Sequence, residues 1–300
     1  MSNRDVIVLD GGLATELEAR GNDLSGVLWS ARLLRDDPQV IEDAHLAFFR
    51  AAADVAITAS YQASALGFAR VGIDDAEARQ LIVRSVELAR SAADRIAHEE
   101  PGRRRPLVAA SVGPYGAALA DGSEYRGGYG ADAPELRSFH AERLDWLIAA
   151  SPDLLAVETI PSGEEAEVLA ALLRERPDAR AWVSFQCRDE DSLADGTPFT
   201  DVIAAVSAVP SVVAVGVNCV DPGLVEPLLV RARHVTDLPL VAYPNDGRVW
   251  DASAHAWRGD GQLADAARVR RWRDLGARYT GGCCGTRPAA IERLAAALRS

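Results

Sequence analysis

No lysine occurs anywhere in this 300-residue sequence, so all 32 of its permanently cationic side chains are arginines. That absence excludes a lysine Schiff base, and with it pyridoxal-phosphate enzymes and lysine-dependent aldolases. It also excludes the lysine of a phosphate-binding P-loop. The sequence has no G-x-G-x-x-G, no G-x-S-x-G and no H-E-x-x-H, so the usual nucleotide, hydrolase and metalloprotease signatures are missing. Positive charge is in deficit: the formal net charge is −12, which argues against nucleic acid and anionic membrane surfaces as partners. No apolar run is long enough to span a bilayer, and "MSNRDVIVLDGG" at the N-terminus has no signal-peptide core. These features predict a cytoplasmic protein, where thiols stay reduced and the four cysteines point to metal binding or chemistry before disulfides.

What is present is regular. Hydrophobic residues make up 48% and charged residues 25%, enough apolar material for a full core. Short apolar runs read as buried parallel strands at 6–12, 55–61, 107–114, 154–160, 181–187, 212–219, 239–245 and 279–285. Amphipathic helical patterns lie between them, one opened by Pro134 and one with Ser162 as its cap. A β-then-α series of that length predicts a (β/α)8 TIM barrel, one domain over residues 1–300. A doubly wound sheet is the alternative, though it usually needs fewer strands. Two long segments interrupt the series, 18–37 after the first strand and the Gly/Tyr-rich 115–133 after the third. Long βα loops of a barrel lie on its catalytic face.

The residues at the strand ends carry the functional signal. They are Asp10, Thr58 with Ser60, Glu158, Cys187, Cys219, Asn245, and Cys283 with Cys284. Polar strand ends are ordinary where chains turn, but cysteines at three of them are not, because free cysteine is usually buried. Cys219 and the Cys283–Cys284 pair end strands separated by one other, so three sulfurs can meet above the barrel rim. Three thiolates suit Zn²⁺, and three protein ligands with one open position is the catalytic pattern. Buried inert cysteines are the competing reading. Cys187 ends the strand beside that of Cys219; as a fourth ligand it would close the site, and it reads instead as a core or rim cysteine. His45, among apolar helix residues, reads as a packed histidine. Trp29, Tyr115, Tyr125 and Tyr129 could form an aromatic wall for an onium cation or serve as loop anchors.

These stretches resemble one family. "LDGGLATELEARG", "ITASYQAS", "SVGPYGAALADGSEYRGGYG", "ETIPSGEEAE", "SFQCRDEDSLADGTPFTDV", "GVNC", "YPNDG" and "GGCCGT" together resemble the homocysteine S-methyltransferases, most closely the S-methylmethionine-dependent type. The resemblance implies a TIM barrel, one zinc on Cys219, Cys283 and Cys284, and homocysteine as methyl acceptor. It further implies that Asp10 and Glu158 hold the homocysteine ammonium group and that Gly11 and Thr58 offer backbone donors to its carboxylate. Two acids, expected at neighbouring strand ends, suit a cationic amine, and a glycine turn can approach a carboxylate closely; a turn acid and a helix-cap acid are the plainer alternatives. The Gly/Tyr-rich loop points to a sulfonium donor, S-methylmethionine and less well S-adenosylmethionine. A related enzyme using betaine or another donor, a non-catalytic zinc or thiol-redox protein, and a metal-independent binding module on a barrel scaffold are the other readings.

Overall fold

A computed structural model describes residues 6–24, 28–247, 249–251, 256–258 and 266–299. Its frame is a ring of eight parallel strands: β1 (Ile7–Val8), β2 (Val55–Ile57), β3 (Leu107–Val112), β4 (Leu154–Ile160), β5 (Ala181–Phe185), β6 (Val212–Asn218), β7 (Leu240–Tyr243) and, last in the chain, β10 (Ala277–Thr280). Their order around the sheet is β1-β10-β7-β6-β5-β4-β3-β2. A parallel bridge between Leu9 and Val55, with Asp10 N donating to Val55 O at 3.1 Å, brings β1 against β2. The eight-stranded parallel barrel is therefore as expected from the alternation of apolar runs and amphipathic helices.

Side chains alternate between two cores, as the two-residue period of a strand requires. One set points into the barrel: Ile7, Leu9, Val55, Ala109, Leu154, Ala156, Trp182, Ala214, Val241, Tyr243 and Tyr279. Their neighbours, such as Val8, Ala56, Val108, Leu155, Val183 and Val215, point outward into the larger layer beneath the helices. Both faces are covered, which is why the strands read as unbroken apolar runs. The helix Ala133–Ala149 starts at an Asp132 cap with Pro134 in its first turn, and Ser162 caps the helix Gly163–Arg174. His45 is packed in the core with neither ring nitrogen bonded among the described residues, and burial pushes it down to about 4.

Several boundaries differ from the sequence reading. The ladders stop at Val8, Ile57, Phe185 and Thr280, earlier than the apolar runs end. Asp10, Thr58, Cys283 and Cys284 lie just beyond three of those ladder ends, whereas Glu158 lies within β4 and Cys219 directly after β6. The segment after β1 is largely helical, with helices at Leu13–Ala19 and Leu33–Asp36. A two-stranded antiparallel hairpin, β8 (Val249–Asp251) with β9 (Ala256–Arg258), was not expected between β7 and β10.

Candidate active site

The C-terminal ends of the strands bring the three sulfurs together. Cys219, Cys283 and Cys284 place their Sγ atoms within 4.8 Å of one another, with Cys219 and Cys284 3.6 Å apart. Cys219 follows β6 in a left-handed conformation, φ 54°, which an unbranched side chain tolerates at a cost and which turns the chain sharply off the strand. Asn245 holds that bend: its Nδ2 donates to Cys219 O at 3.1 Å, and its Oδ1 accepts from the Cys219 thiol at 3.2 Å. The paired cysteines are fixed by backbone bonds, Cys283 N to Pro244 O at 2.7 Å and Asp246 N to Cys284 O at 3.0 Å. Gly285 leaves the pair at φ 81°, and a Cβ there would lie 2.1 Å from Asp246 Oδ2. Only glycine combines that conformation with that approach. The neighbouring sulfurs of Cys219 and Cys283 hold Cys284 well below the ordinary thiol range. Three sulfurs in one such group could hold a metal ion.

The two acids sit beside them. Asp10 is fully buried; its Oδ2 accepts from Ile57 N at 2.9 Å and its Oδ1 has no partner among the described residues. Glu158 accepts hydrogen bonds from the Ser111 hydroxyl and, at 3.1 Å, from Tyr243 OH. Burial pushes the Glu158 carboxyl up to about 7 against those two bonds. Asp10 is raised as well, first by burial, then by the like charge of Glu158. Their strands are not neighbours, contrary to the sequence reading: β2 and β3 stand between β1 and β4. The curvature of the closed sheet brings the two carboxylates near enough to repel across the mouth. Gly11 follows Asp10, packed so that a Cβ would lie 2.5 Å from Thr286 O, and its N–H takes no acceptor among the described residues. Thr58 differs: its N–H is already given to Ala109 O at 3.0 Å, and its hydroxyl lies 2.7 Å from Ser60 Oγ.

The chain matches the homocysteine S-methyltransferase family over residues 7–298. It belongs to that family. The homocysteine S-methyltransferase of Escherichia coli (strain K12) is 48% identical over 99% of this chain and 96% of its own length. The solved metallated form of the Escherichia coli homocysteine methyltransferase MmuM superposes with a TM-score of 0.89, covering 99% of this chain and 96% of that one. The apo form of the same protein superposes less well, with a TM-score of 0.80 at 98% and 96% coverage.

In this homocysteine S-methyltransferase-family chain, Cys187 stands apart from the other sulfurs. It is buried in the outer core, bridged to Leu193, and burial raises its thiol far above the ordinary range. Cys187→Ser is therefore expected to keep its metal content, measured by elemental analysis of the purified variant; loss of metal with the fold intact would place a fourth sulfur in the site. The loop tyrosines also separate. Tyr115 OH donates to Glu135 at 2.6 Å and Tyr129 OH to Glu165 at 2.8 Å, so both are anchors. Tyr125 instead is partly exposed and lies close enough to Cys219 and Cys284 to act on their ionisation. The side chain of Trp29 lies outside the described residues.

Four supporting residues were not singled out in the sequence. Ser111 and Tyr243 hold Glu158; Trp182 Nε1 in turn donates to Tyr243 OH at 3.1 Å. Asn218, buried before Cys219, donates from Nδ2 to Thr159 Oγ1 and accepts from Thr159 N, both at 2.7 Å, fixing the left-handed residue next to Glu158. All three belong to stretches that carry the family resemblance, "SVGP", "GVNC" and "YPNDG", which was the available signal. Glu165, under the Gly/Tyr loop, is the fourth: it accepts from Tyr115 N at 2.6 Å, from Tyr129 OH, and lies 2.8 Å from His140 Nε2.

Proposed function

We propose that this chain transfers a methyl group from a sulfonium donor, S-methylmethionine in preference to S-adenosylmethionine, to the thiol of homocysteine, forming methionine, with one zinc ion held by Cys219, Cys283 and Cys284. The observation that carries this is the convergence of three sulfurs with two buried carboxylates, one of them keeping an unpartnered oxygen. The donor set fits the ion: three soft sulfurs leave a tetrahedral metal one position for a ligand from outside. Zinc bound there would supply the Lewis acidity that keeps a thiol ionised at neutral pH.

The protein's own residues orient the acceptor. The free lone pair of Asp10 Oδ1 suits an ammonium N–H, and Glu158, braced by Ser111 and Tyr243, adds the second negative charge. The open N–H of Gly11 suits the acceptor carboxylate. Methyl transfer from a sulfonium releases a neutral thioether, so no general acid is required. The reaction joins an anionic nucleophile to a cationic donor, and charge disappears as it proceeds. Water exclusion at the mouth favours that over separated ions. The reading as a four-sulfur structural zinc protein is weakened by the distant, outer-core position of Cys187.

The test is initial rates with zinc-loaded protein, homocysteine and each donor in turn. S-methylmethionine is expected to give the highest kcat/KM, with two methionines formed per turnover, one from each substrate. Faster reaction with betaine or methyltetrahydrofolate would leave methyl transfer to homocysteine standing and remove the sulfonium assignment.

A further inference from the structure

Homocysteine and S-methylmethionine are both amino acids, so two ammonium groups must be accommodated, and Asp10 with Glu158 accounts for one. A second buried carboxylate with an unused oxygen lies in the Gly/Tyr loop. Glu124 sits in the 3₁₀ turn Ser123–Tyr125 and is only 2% exposed, yet its Oε2 has no hydrogen-bond partner among the described residues. A carboxylate that deep is costly to leave unpaired.

The loop is built to hold it there. Gly122 enters the turn at φ 78° and Gly127 leaves it at φ 67°. Beneath it Gly116 passes so closely that a Cβ would lie 2.6 Å from both Glu124 N and Tyr129 Cε1. Tyr129 and Tyr115 N are tied in turn to the buried Glu165, so the loop is fastened to the helix after β4. The turn Ser123–Tyr125 packs against β4, the strand that carries Glu158, and Glu124 lies close enough to Tyr61, Tyr125, Tyr129 and Cys284 for its charge to act on them. The charge of Arg126 reaches Glu124, but its guanidinium donates to Asp121 O at 3.4 Å, and no ion pair to Glu124 occurs among the described residues.

We infer that Glu124 receives the α-ammonium group of the methyl donor, making it the residue that selects an amino-acid sulfonium over a simple one. A free carboxylate oxygen accepts N–H hydrogen bonds; a sulfonium carries no N–H, so the ammonium is the part of the donor that fits it. Tyr125, 39% exposed and close enough to Cys219 to act on its ionisation, is left to face the onium end. The inference rests on the proposed sulfonium donor.

The experiment compares S-methylmethionine with its deamino analogue, 4-(dimethylsulfonio)butanoate, as methyl donors to homocysteine. The parent enzyme is expected to favour the amino donor strongly. In Glu124→Gln the ratio of the two kcat/KM values should fall by at least about ten-fold, as for loss of a charged hydrogen bond. Homocysteine KM and zinc content, measured on the same preparation, should stay within about two-fold of the parent if only the donor site has changed. Glu124→Asp, which keeps the charge, should retain part of the preference. A ratio unchanged in Glu124→Gln, in protein that binds zinc and uses S-methylmethionine, would overturn this inference and leave the proposed function intact. Failure of the parent enzyme to use either sulfonium would overturn the donor reading itself, and this inference with it.

Discussion

Replacing Cys284 by serine is expected to take the metal content from about one ion per chain to a small fraction of that, and to remove nearly all methyl transfer. Among the described residues three sulfurs within 4.8 Å form the soft donor set, and Cys187 lies in the outer core. Serine keeps the size but offers a hydroxyl that does not ionise at neutral pH. The acceptor alone sets a scale for the rate loss. A free thiol near pKa 8.5 is ionised only to about one part in thirty at pH 7, so losing thiol ionisation accounts for about thirty-fold. Cys284 is the residue to change because its neighbours' thiols already favour its thiolate. Elemental analysis and single-turnover rates on the same sample check both parts. Full zinc retention in Cys284→Ser would refute the three-sulfur site.

The second large effect concerns the acceptor. Asp10→Asn is expected to raise the KM for homocysteine by about 10- to 150-fold, the range of a charged hydrogen bond at about 1.5–3 kcal/mol, with metal content unchanged. A thiol lacking the amino group should be affected far less. The same pair sets a pH dependence. Glu158 is held up at about 7, and the proposed contact with an ammonium group needs its ionised form. Acceptor kcat/KM should therefore fall as pH drops through about 7. In Glu158→Gln the limb near 7 should disappear, because the group that carries it is gone. An acid limb at an unchanged position would assign the titration elsewhere. The sign for folding is opposite. A carboxyl raised by burial gives its full stability below the ordinary carboxylate range, and that stability is lost as pH rises towards about 7.

Much of this architecture was legible because the physics is local. Strands buried on both faces read as unbroken apolar runs, and helices with one wet face read as periodic ones, so the barrel follows from their alternation. The polar residue that ends each run marks the mouth, which is how Asp10, Glu158 and Cys219 stand out. Strand lengths were overestimated because apolar residues continue into the turns after β1, β2, β5 and β10 while the ladder does not. Adjacency was harder still: β1 and β4 are separated in the ring, and only its curvature brings their acids together. Thr58 could not be known to have given its N–H to Ala109 O, since pairing partners are a property of the closed sheet. Glu124 is the strongest case. Nothing in the Gly/Tyr-rich loop singles it out, because its burial depends on Gly116 passing beneath it. The hairpin β8–β9 carries neither a tight-turn pair nor clean alternation in "VWDASAHAWR".

The seam between β1 and β10 has a further consequence, in the order of assembly. Asp10 and the sulfur pair come from opposite ends of the chain, yet Gly282 N bonds Asp10 O at 3.1 Å and Gly12 N bonds Thr286 O at 3.0 Å. Gly285 N reaches Thr15 Oγ1 at 3.0 Å across 270 residues, and Arg287 pairs with Glu16 at 3.2 Å. The acceptor pocket and two of the three sulfurs therefore come into register only when the ring closes. A chain still emerging from the ribosome, or one folded through its first seven strands, carries Asp10, Glu158 and Cys219 but cannot present them as a site. Long-range closure of this kind is slow to form and comes late. Competence for methyl transfer should thus appear in one step, with the pairing of the last strand to the first, and no partly folded intermediate should trap homocysteine or activate its thiol.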